Sequence, residues 1–158
     1  MTITIRPLQQ ADAADLAKSC FPDLPSEDVL DAVREDLALQ AAGQGVTLVA
    51  IEEGRVGVHV KLLRKDDSGW VFNVASHPDF RGRGILQDLL ADLARRARAM
   101  GMVRLLAHVR ADNRRARRAY EKAGFRAVGQ DGMRGEQLRY ELDISLDTAV
   151  RCGRIKGR

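Results

Sequence analysis

The segment between Trp70 and Val109 constrains the fold more than any other part of this 158-residue chain. An apolar run, WVFNVAS, is followed by the loop DFRGRG, by apolar residues at helical spacing to about Met100, and by a second apolar run, VRLLAHV. Strand, helix and strand in this order form a β-α-β crossover, so the two strands should be parallel. The buried stripe of the helix should consist of Leu86, Leu89, Leu90, Leu93 and Ala97.

Shorter patterns on both sides of this unit predict the remaining elements. A first strand should end near Pro7, and two helices should begin near Asp12, as a cap, and at Ser26. The runs VTLVAIEE and RVGVHVKLL predict a hairpin, and RKDDSG predicts a loop after it. Asp112 or Asn113 should cap a fourth helix, and two last strands should flank the turn DGMRGE. The fold class is therefore α/β, with a mixed, mostly antiparallel sheet of six to seven strands and four helices on its faces.

The basic excess of the chain lies at its C-terminal end. Lys and Arg number 26 against 22 Asp and Glu, and the last eight residues hold four of the basic residues and no acidic one. The rest of the chain is thus balanced in charge. We predict one domain over residues 1–150 and a solvated basic tail over residues 151–158, with a weak contact to RNA or an acidic partner as the alternative for the tail.

Cysteine usage and hydropathy limit the cellular setting. Cys20 and Cys152 lie far apart, which favours neither a disulfide framework nor a metal cluster, and a redox pair is the less favoured alternative. No apolar run approaches the roughly 18 residues that a membrane span needs, and the first residues do not resemble a signal peptide. We expect a cytoplasmic protein with no metal and no membrane partner.

A first candidate for chemistry is the loop Arg81-Gly82-Arg83-Gly84, which comes directly before a predicted helix. Glycines let the backbone come close to a ligand, free amides at a helix N-terminus bind phosphate, and the two arginines add charge. A basic loop that only joins two elements is the alternative. The pattern is neither a P-loop nor a dinucleotide fingerprint, because the Gly-Lys-Ser/Thr and the three-glycine spacing are absent.

A second candidate lies in the stretch NRRARRAYEKAGF. Asn113 and Tyr120 are seven residues apart, which is two helical turns, so they should lie on one face of the predicted helix. A capping asparagine and a core tyrosine are the alternative interpretation of each residue taken alone.

Together the two stretches NVASHPDFRGRGIL and ADNRRARRAYEKAGF closely resemble the GNAT superfamily of N-acetyltransferases. That family has a strand before His-Pro or Asp-Pro, then Arg/Gln-x-x-Gly-x-Gly/Ala opening a helix. A later Asn is followed by Ala, Tyr and Gly-Phe at the spacing seen here. The resemblance departs at Leu86, where the family has Gly or Ala, and at Ser76, where it usually has an apolar residue.

The resemblance implies acetyl-CoA as a co-substrate. Amides between Gly82 and Gln87 would hold the pyrophosphate, pantetheine would lie between the splayed ends of the two parallel strands, and the NVAS backbone would orient the acetyl group. The charge of the loop and the resemblance together predict that acetyl-CoA is bound by Val74, Ala75, Ser76, Arg81, Gly82, Arg83, Gly84, Ile85, Leu86, Gln87 and Asn113.

The resemblance also implies a direct transfer, with Tyr120 as the general acid beside the departing sulfur. A general base must take a proton from the amine, whose pKa is near ~10 when free. His108 lies on the strand leading to Asn113, where some relatives that acetylate protein N-termini place a glutamate. We predict His108 as the base, with a polar residue paired within the sheet as the equal alternative. His59 is a weaker candidate, and His77 should belong to the loop.

The acceptor stays open at this stage. Dense arginines between Arg110 and Arg118 favour a solvated helix face near CoA phosphates over a nucleic-acid surface, because no aromatic residues interleave with them. The expected function is N-acetyl transfer to a primary amine, and the alternative is a non-catalytic acyl-CoA sensor. A homodimer also stays open. A weak preference for cationic amines follows from acidic residues in the segments that set acceptor choice in the family, which are Asp23, Glu27, Asp28, Asp31, Asp131 and Glu136.

Overall fold

The structure, a computed structural model, describes residues 2–145. The strands are β1 (Ile3–Pro7), β2 (Gly45–Glu52), β3 (Arg55–Lys65), β4 (Ser68–Ser76), β5 (Arg104–Arg110), β6 (Arg126–Asp131) and β7 (Gln137–Asp143). The α-helices are α1 (Ala13–Ser19), α2 (Ser26–Ala41), α3 (Ile85–Ala99) and α4 (Arg114–Lys122). The predicted basic tail and Cys152 lie outside the described residues, so the domain boundary and the role of the tail stay predictions.

The seven strands of this part of the chain form one sheet in the order β1-β2-β3-β4-β5-β7-β6. Only β4 and β5 are parallel, and the other neighbours pair antiparallel. The predicted mixed sheet, its four helices and its parallel crossover are therefore confirmed.

The sheet is covered by helices on both faces, because its strands bury alternate residues on each side. Val58, Val60 and Leu62 of β3 belong to a large hydrophobic core with α3 and α4. A smaller core joins α1 and α2 to Val49 of β2. Between residues 2 and 145, no helix is both long and apolar enough to cross a bilayer.

Two local predictions are wrong, and a third is confirmed only in part. The predicted loop RKDDSG is mostly strand, since β3 runs to Lys65 and β4 begins at Ser68 around a tight turn where Asp66 takes a φ of 58°. Asp12 is the N-cap residue of α1, as predicted, but its side chain does not cap the helix, because Arg6 and the Gln9 amide bind its carboxylate at 2.8 Å. Leu86 is only half-buried, because it faces a cavity at the first turn of α3.

The parallel strands part before they end. β4 pairs with β5 only as far as Val71 and Ala107, although both strands continue beyond this pair. At this point β4 carries a bulge against β3, and Asn73 takes a φ of 52°. His59 Nδ1 lies 2.8 Å from the Asn73 carbonyl oxygen and so holds the bulge in place. We call the opening between β4 and β5 beyond Val71 and Ala107 the gap.

Candidate active site

The glycine loop after β4 presents free backbone to solvent. Gly82 and Gly84 have φ angles of 72° and 75°, a conformation that favours glycine, and a Cβ at either position would meet no heavy atom within 4 Å. The fifteen-residue helix α3 begins at Ile85, so its first amides lie beside this open surface. The amides of Ile85, Leu86 and Gln87 thus belong to a helix N-terminus that can bind an anion.

Phe80 anchors this loop to the sheet. The guanidinium groups of Arg55 and Arg83 lie over its buried ring, at 5.3 and 5.8 Å from the ring centroid. A Cβ at Gly57 would lie 2.2 Å from the same ring, so only glycine allows β3 to approach it. Arg83 also pairs with Glu52 of β2, with Nη2 and Oε2 at 2.6 Å. Arg83 thus fastens the loop and does not line the cavity beside it.

That cavity lies between the glycine loop and α4 and has a volume of about 210 Å³. Arg81, Gly82, Gly84 and Gln87 form part of its loop side. Its α4 side is cationic and consists of Arg115, Arg118 and Lys122. These three residues follow the i, i+3, i+7 spacing of one helix face. Arg115 and Arg118 belong to the basic run noted in the sequence. Lys122 was not predicted to join them, although the i, i+3, i+7 spacing is visible in the sequence.

Ser76, at the end of β4, is tied to the loop. Arg81 donates from Nε to the Ser76 hydroxyl at 3.0 Å and from Nη2 to the Ser76 carbonyl at 2.9 Å. Ala75 and Ser76 pair with β3, and Val74 packs against the larger core. The serine that departs from the family pattern is therefore the partner of a loop arginine.

Tyr120 of α4 is buried on the same side of the sheet as the cavity. Its ring packs edge-to-face on Phe125 at 5.1 Å and lies 6.0 Å from the ring of Tyr140. Burial raises the pKa of the Tyr120 hydroxyl above its usual range, so the group keeps its proton. Within the described part of the chain this hydroxyl has no hydrogen-bond partner, and Tyr120 is not among the residues that line the cavity. Its contact with a ligand therefore stays a prediction.

Asn113 caps α4, which is one of the two roles predicted for this residue. Its Oδ1 accepts a hydrogen bond from the Ala116 amide at 3.1 Å. The cap uses only the oxygen of the exposed side chain, so its amide nitrogen stays available to a ligand.

His108 lies on the opposite face of the sheet from Tyr120. It follows Ala107, the last β5 residue paired with β4, and so stands at the edge of the gap. Ala107 and Val109 belong to the core that contains Tyr120, and alternation along the strand turns His108 to the other face. His108 Nε2 lies 2.8 Å from Asp131 Oδ2, and its ring lies 5.2 Å from that of Trp70. The structure thus places the predicted acid and base on two sides of one sheet.

The other histidines have different surroundings. His59 is buried, and desolvation, the largest influence, lowers its pKa, so the ring stays neutral with Nδ1 committed to the bulge. His77 Nδ1 accepts a hydrogen bond from the Asp79 amide at 3.1 Å, and Asp79 is in the turn before the glycine loop. Neither ring is presented to the gap as a free base.

Metal chemistry has no ready ligand set in this region. Across residues 2–145, no group of three or more His, Cys, Asp or Glu side chains is placed to hold a metal ion. The gap and the cationic cavity beside it are instead suited to an extended ligand with phosphates at one end. Fold and site together define an open-sheet α/β protein with an anion-binding loop at a split between parallel strands.

The comparison with known families identifies this class. The model of the Acetyltransferase (GNAT) family matches residues 11–125, which include the loop, the gap and α4. The chain belongs to the GNAT family of acetyltransferases.

Individual relatives agree with this membership. The uncharacterized N-acetyltransferase YycN of Bacillus subtilis (strain 168) is 32% identical over 72 residues, and the match covers 46% of each chain, so it spans less than half of that relative. The structure of yncA from Salmonella typhimurium with acetyl-CoA has a TM-score of 0.76 at 20% identity, covering 91% of this chain and 95% of that one. The paia N-acetyltransferase from Thermoplasma acidophilum, in complex with coenzyme A, has a TM-score of 0.74 at 18% identity, covering 90% and 99%. The solved structures thus share the fold.

Proposed function

We propose that this protein transfers an acetyl group from acetyl-CoA to a primary amine. The observation that carries the proposal is the gap between β4 and β5, which opens beside the glycine loop and its cationic cavity. An acyl-CoA has the matching shape, with phosphates at one end of a long thin arm and the thioester at the other. Two structures of the same fold have acetyl-CoA or coenzyme A bound, which supports this choice of co-substrate.

The binding proposal assigns a part of the co-substrate to each region. The amides from Gly82 to Gln87 bind the pyrophosphate, and the basic side chains of α4 neutralise the remaining phosphate charge. Asn113 donates from its amide nitrogen to the pantetheine arm. Backbone groups of Val74, Ala75 and Ser76 on the β4 side of the gap orient the acetyl end. Because the Ser76 carbonyl already accepts a hydrogen bond from Arg81, Val74 and Ala75 contribute most.

The proposed chemistry needs no covalent enzyme intermediate. The amine nitrogen attacks the thioester carbonyl carbon, a C–N bond forms, and the amine proton passes to His108 directly or through one water. A backbone amide at the end of β4 donates to the tetrahedral oxyanion. The C–S bond then breaks, and the thiolate of CoA takes the proton of the Tyr120 hydroxyl. Solvent then takes the proton from His108 and returns one to Tyr120, which restores both residues. The products are the acetylated amine and free CoA.

Binding at the loop is tested by Gly84→Asp. The new carboxylate would point into open space beside the proposed pyrophosphate and repel it, so the rise in melting temperature that acetyl-CoA gives to the wild type should be abolished. Gly43→Asp is the matched control, because Gly43 has a φ of 72° and equally open surroundings at the end of α2. It carries similar backbone strain and should keep the full rise. An unchanged rise in Gly84→Asp would refute the assigned loop.

Transfer itself is tested by following thiol release from acetyl-CoA with four acceptors: spermidine, kanamycin, free lysine and a peptide with an N-terminal alanine. We expect at least one acceptor to accelerate release, with spermidine favoured because Glu27, Asp28 and Asp31 of α2 are exposed acids. Acetyl-CoA that stabilises the fold while no acceptor accelerates release would favour the acyl-CoA sensor instead. We also propose the cytoplasm as the compartment in which this transfer takes place.

A further inference from the structure

We propose that Asp131 positions the imidazole of His108, so that the two residues act as a dyad in which only His108 meets the amine. The inference rests on the proposed function, because it concerns the base of the same acetyl transfer. The observation behind it is a contact that crosses the sheet: His108 lies on β5 and Asp131 at the end of β6, with β7 between them.

The contact fixes which ring nitrogen carries the proton. His108 Nε2 is 2.8 Å from Asp131 Oδ2, and an ionised carboxylate can only accept. Nε2 therefore donates, and in the neutral ring Nδ1 holds the lone pair that can take a proton. Nδ1 has no partner within residues 2–145. A base needs this combination of one committed and one available nitrogen.

Asp131 is itself held in place from β7. Arg139, the cross-strand partner of His108, reaches the Asp131 carboxylate with Nη1 at 3.4 Å from Oδ1. The guanidinium passes directly over Gly129 of β6, where an added Cβ would lie 2.8 Å from Arg139 Nη2. Glycine at this position lets the arginine lie flat against β6 and reach the carboxylate.

Trp70 of β4 completes the surroundings of the imidazole. Its ring is tilted by 36° to that of His108 and packs against it at the edge of the gap. The ring of His108 is thus confined by an indole on the β4 side and by a carboxylate on the β6 side. A histidine with only a structural role on the surface of the sheet would require neither the indole nor the carboxylate contact.

Two ion pairs lie beside the dyad. Arg139 on β7 pairs with Asp131, and Arg110, two residues along β5, pairs with Asp112. Asp131 is therefore the carboxylate that holds the His108 ring, and its removal should leave the imidazole without the contact that orients it.

Asp131→Asn tests this arrangement, using the acceptor that gives the highest kcat/KM in the panel above. We expect kcat/KM to fall about tenfold at pH 8, because an imidazole that is no longer oriented is a less effective general base. Glu141→Gln is the matched control: it removes a β7 carboxylate of nearly equal exposure, 34% against 35%, that pairs with Arg104 away from the gap. It should leave kcat/KM unchanged.

The double variant His108→Gln/Asp131→Asn separates a positioning role from a merely structural one. If Asp131 acts through His108, the double variant should be no slower than His108→Gln alone. An Asp131→Asn variant with the kcat/KM of the wild type, or a second loss in the double variant, would overturn the dyad and leave acetyl transfer intact. If His108→Gln itself has no effect, the proposed base is wrong and the dyad falls with it. If none of the four acceptors is acetylated, the proposed function itself is refuted, and the dyad is refuted with it.

Discussion

Tyr120→Phe should lower kcat by ~10²-fold or more and leave the affinity for acetyl-CoA nearly unchanged, which is the range expected for loss of a general acid. The substitution keeps the ring contacts with Phe125 and Tyr140 and removes only the hydroxyl. Because that hydroxyl has no partner among residues 2–145, its loss should cost little stability. Steady-state kinetics with the best acceptor and a thermal melt measure the two quantities.

Tyr140→Phe is the matched control, because its hydroxyl is fully engaged. It donates to Glu121 Oε2 at 2.7 Å and accepts from Arg117 Nε at 3.3 Å within a fully buried side chain. Its removal should cost about 1 kcal/mol or more of stability, as for hydrogen bonds to charged groups, with kcat unaffected. The two tyrosines should thus show opposite patterns of stability and turnover. Full turnover in Tyr120→Phe would mean that water or another group protonates the thiolate.

His108→Gln should lower kcat/KM by ~10²-fold at pH 8, because glutamine cannot accept the amine proton. In the wild type, kcat/KM should rise with pH along an acidic limb as the base deprotonates. The variant should lose or displace that limb. The pH dependence of kcat/KM, measured with a saturating concentration of acetyl-CoA, tests this directly.

The competing interpretation gives His108 only a structural role between β5 and β6. In that case His108→Gln should lower the melting temperature, and the acidic limb should remain at its original pH. A surviving limb would move the search for the base to the acidic residues near the acceptor side. Asp131 would then be the first candidate, because it lies 2.8 Å from the ring that was removed.

Periodicity predicted the elements of this fold well. The stripe through Leu89, Leu90 and Leu93 and the glycine at the start of α3 define the crossover, and the crossover alone requires β4 and β5 to be parallel. Errors came from local chemistry that tertiary contacts override. Polar residues between Arg64 and Gly69 suggested a loop, yet the backbone pairing of β3 with β4 continues through most of them.

The candidate site was predictable where its residues are close in sequence. The loop and the stretch from Asn113 to Tyr120 carry their own spacing signals, whereas pairs that form across the sheet do not. Glu52 and Arg83 are 31 residues apart, and His108 and Asp131 are 23 apart. The bulge at Asn73 has only a weak sequence signal, because asparagine adopts positive φ more often than most residues but does so rarely. Its contact with His59, which lies 14 residues away, has none.

The split between β4 and β5 also determines how two molecules could reach each other. In the proposed arrangement, CoA lies along α3 and α4, and the amine arrives over Trp70 and His108 on the other side. A β-sheet is a single layer of backbone, so a thioester placed between the two unpaired strand ends would be approached by the two reactants from opposite faces, without a shared entrance. The acetylated amine and free CoA can then dissociate from opposite faces of the sheet, and neither product blocks the exit of the other.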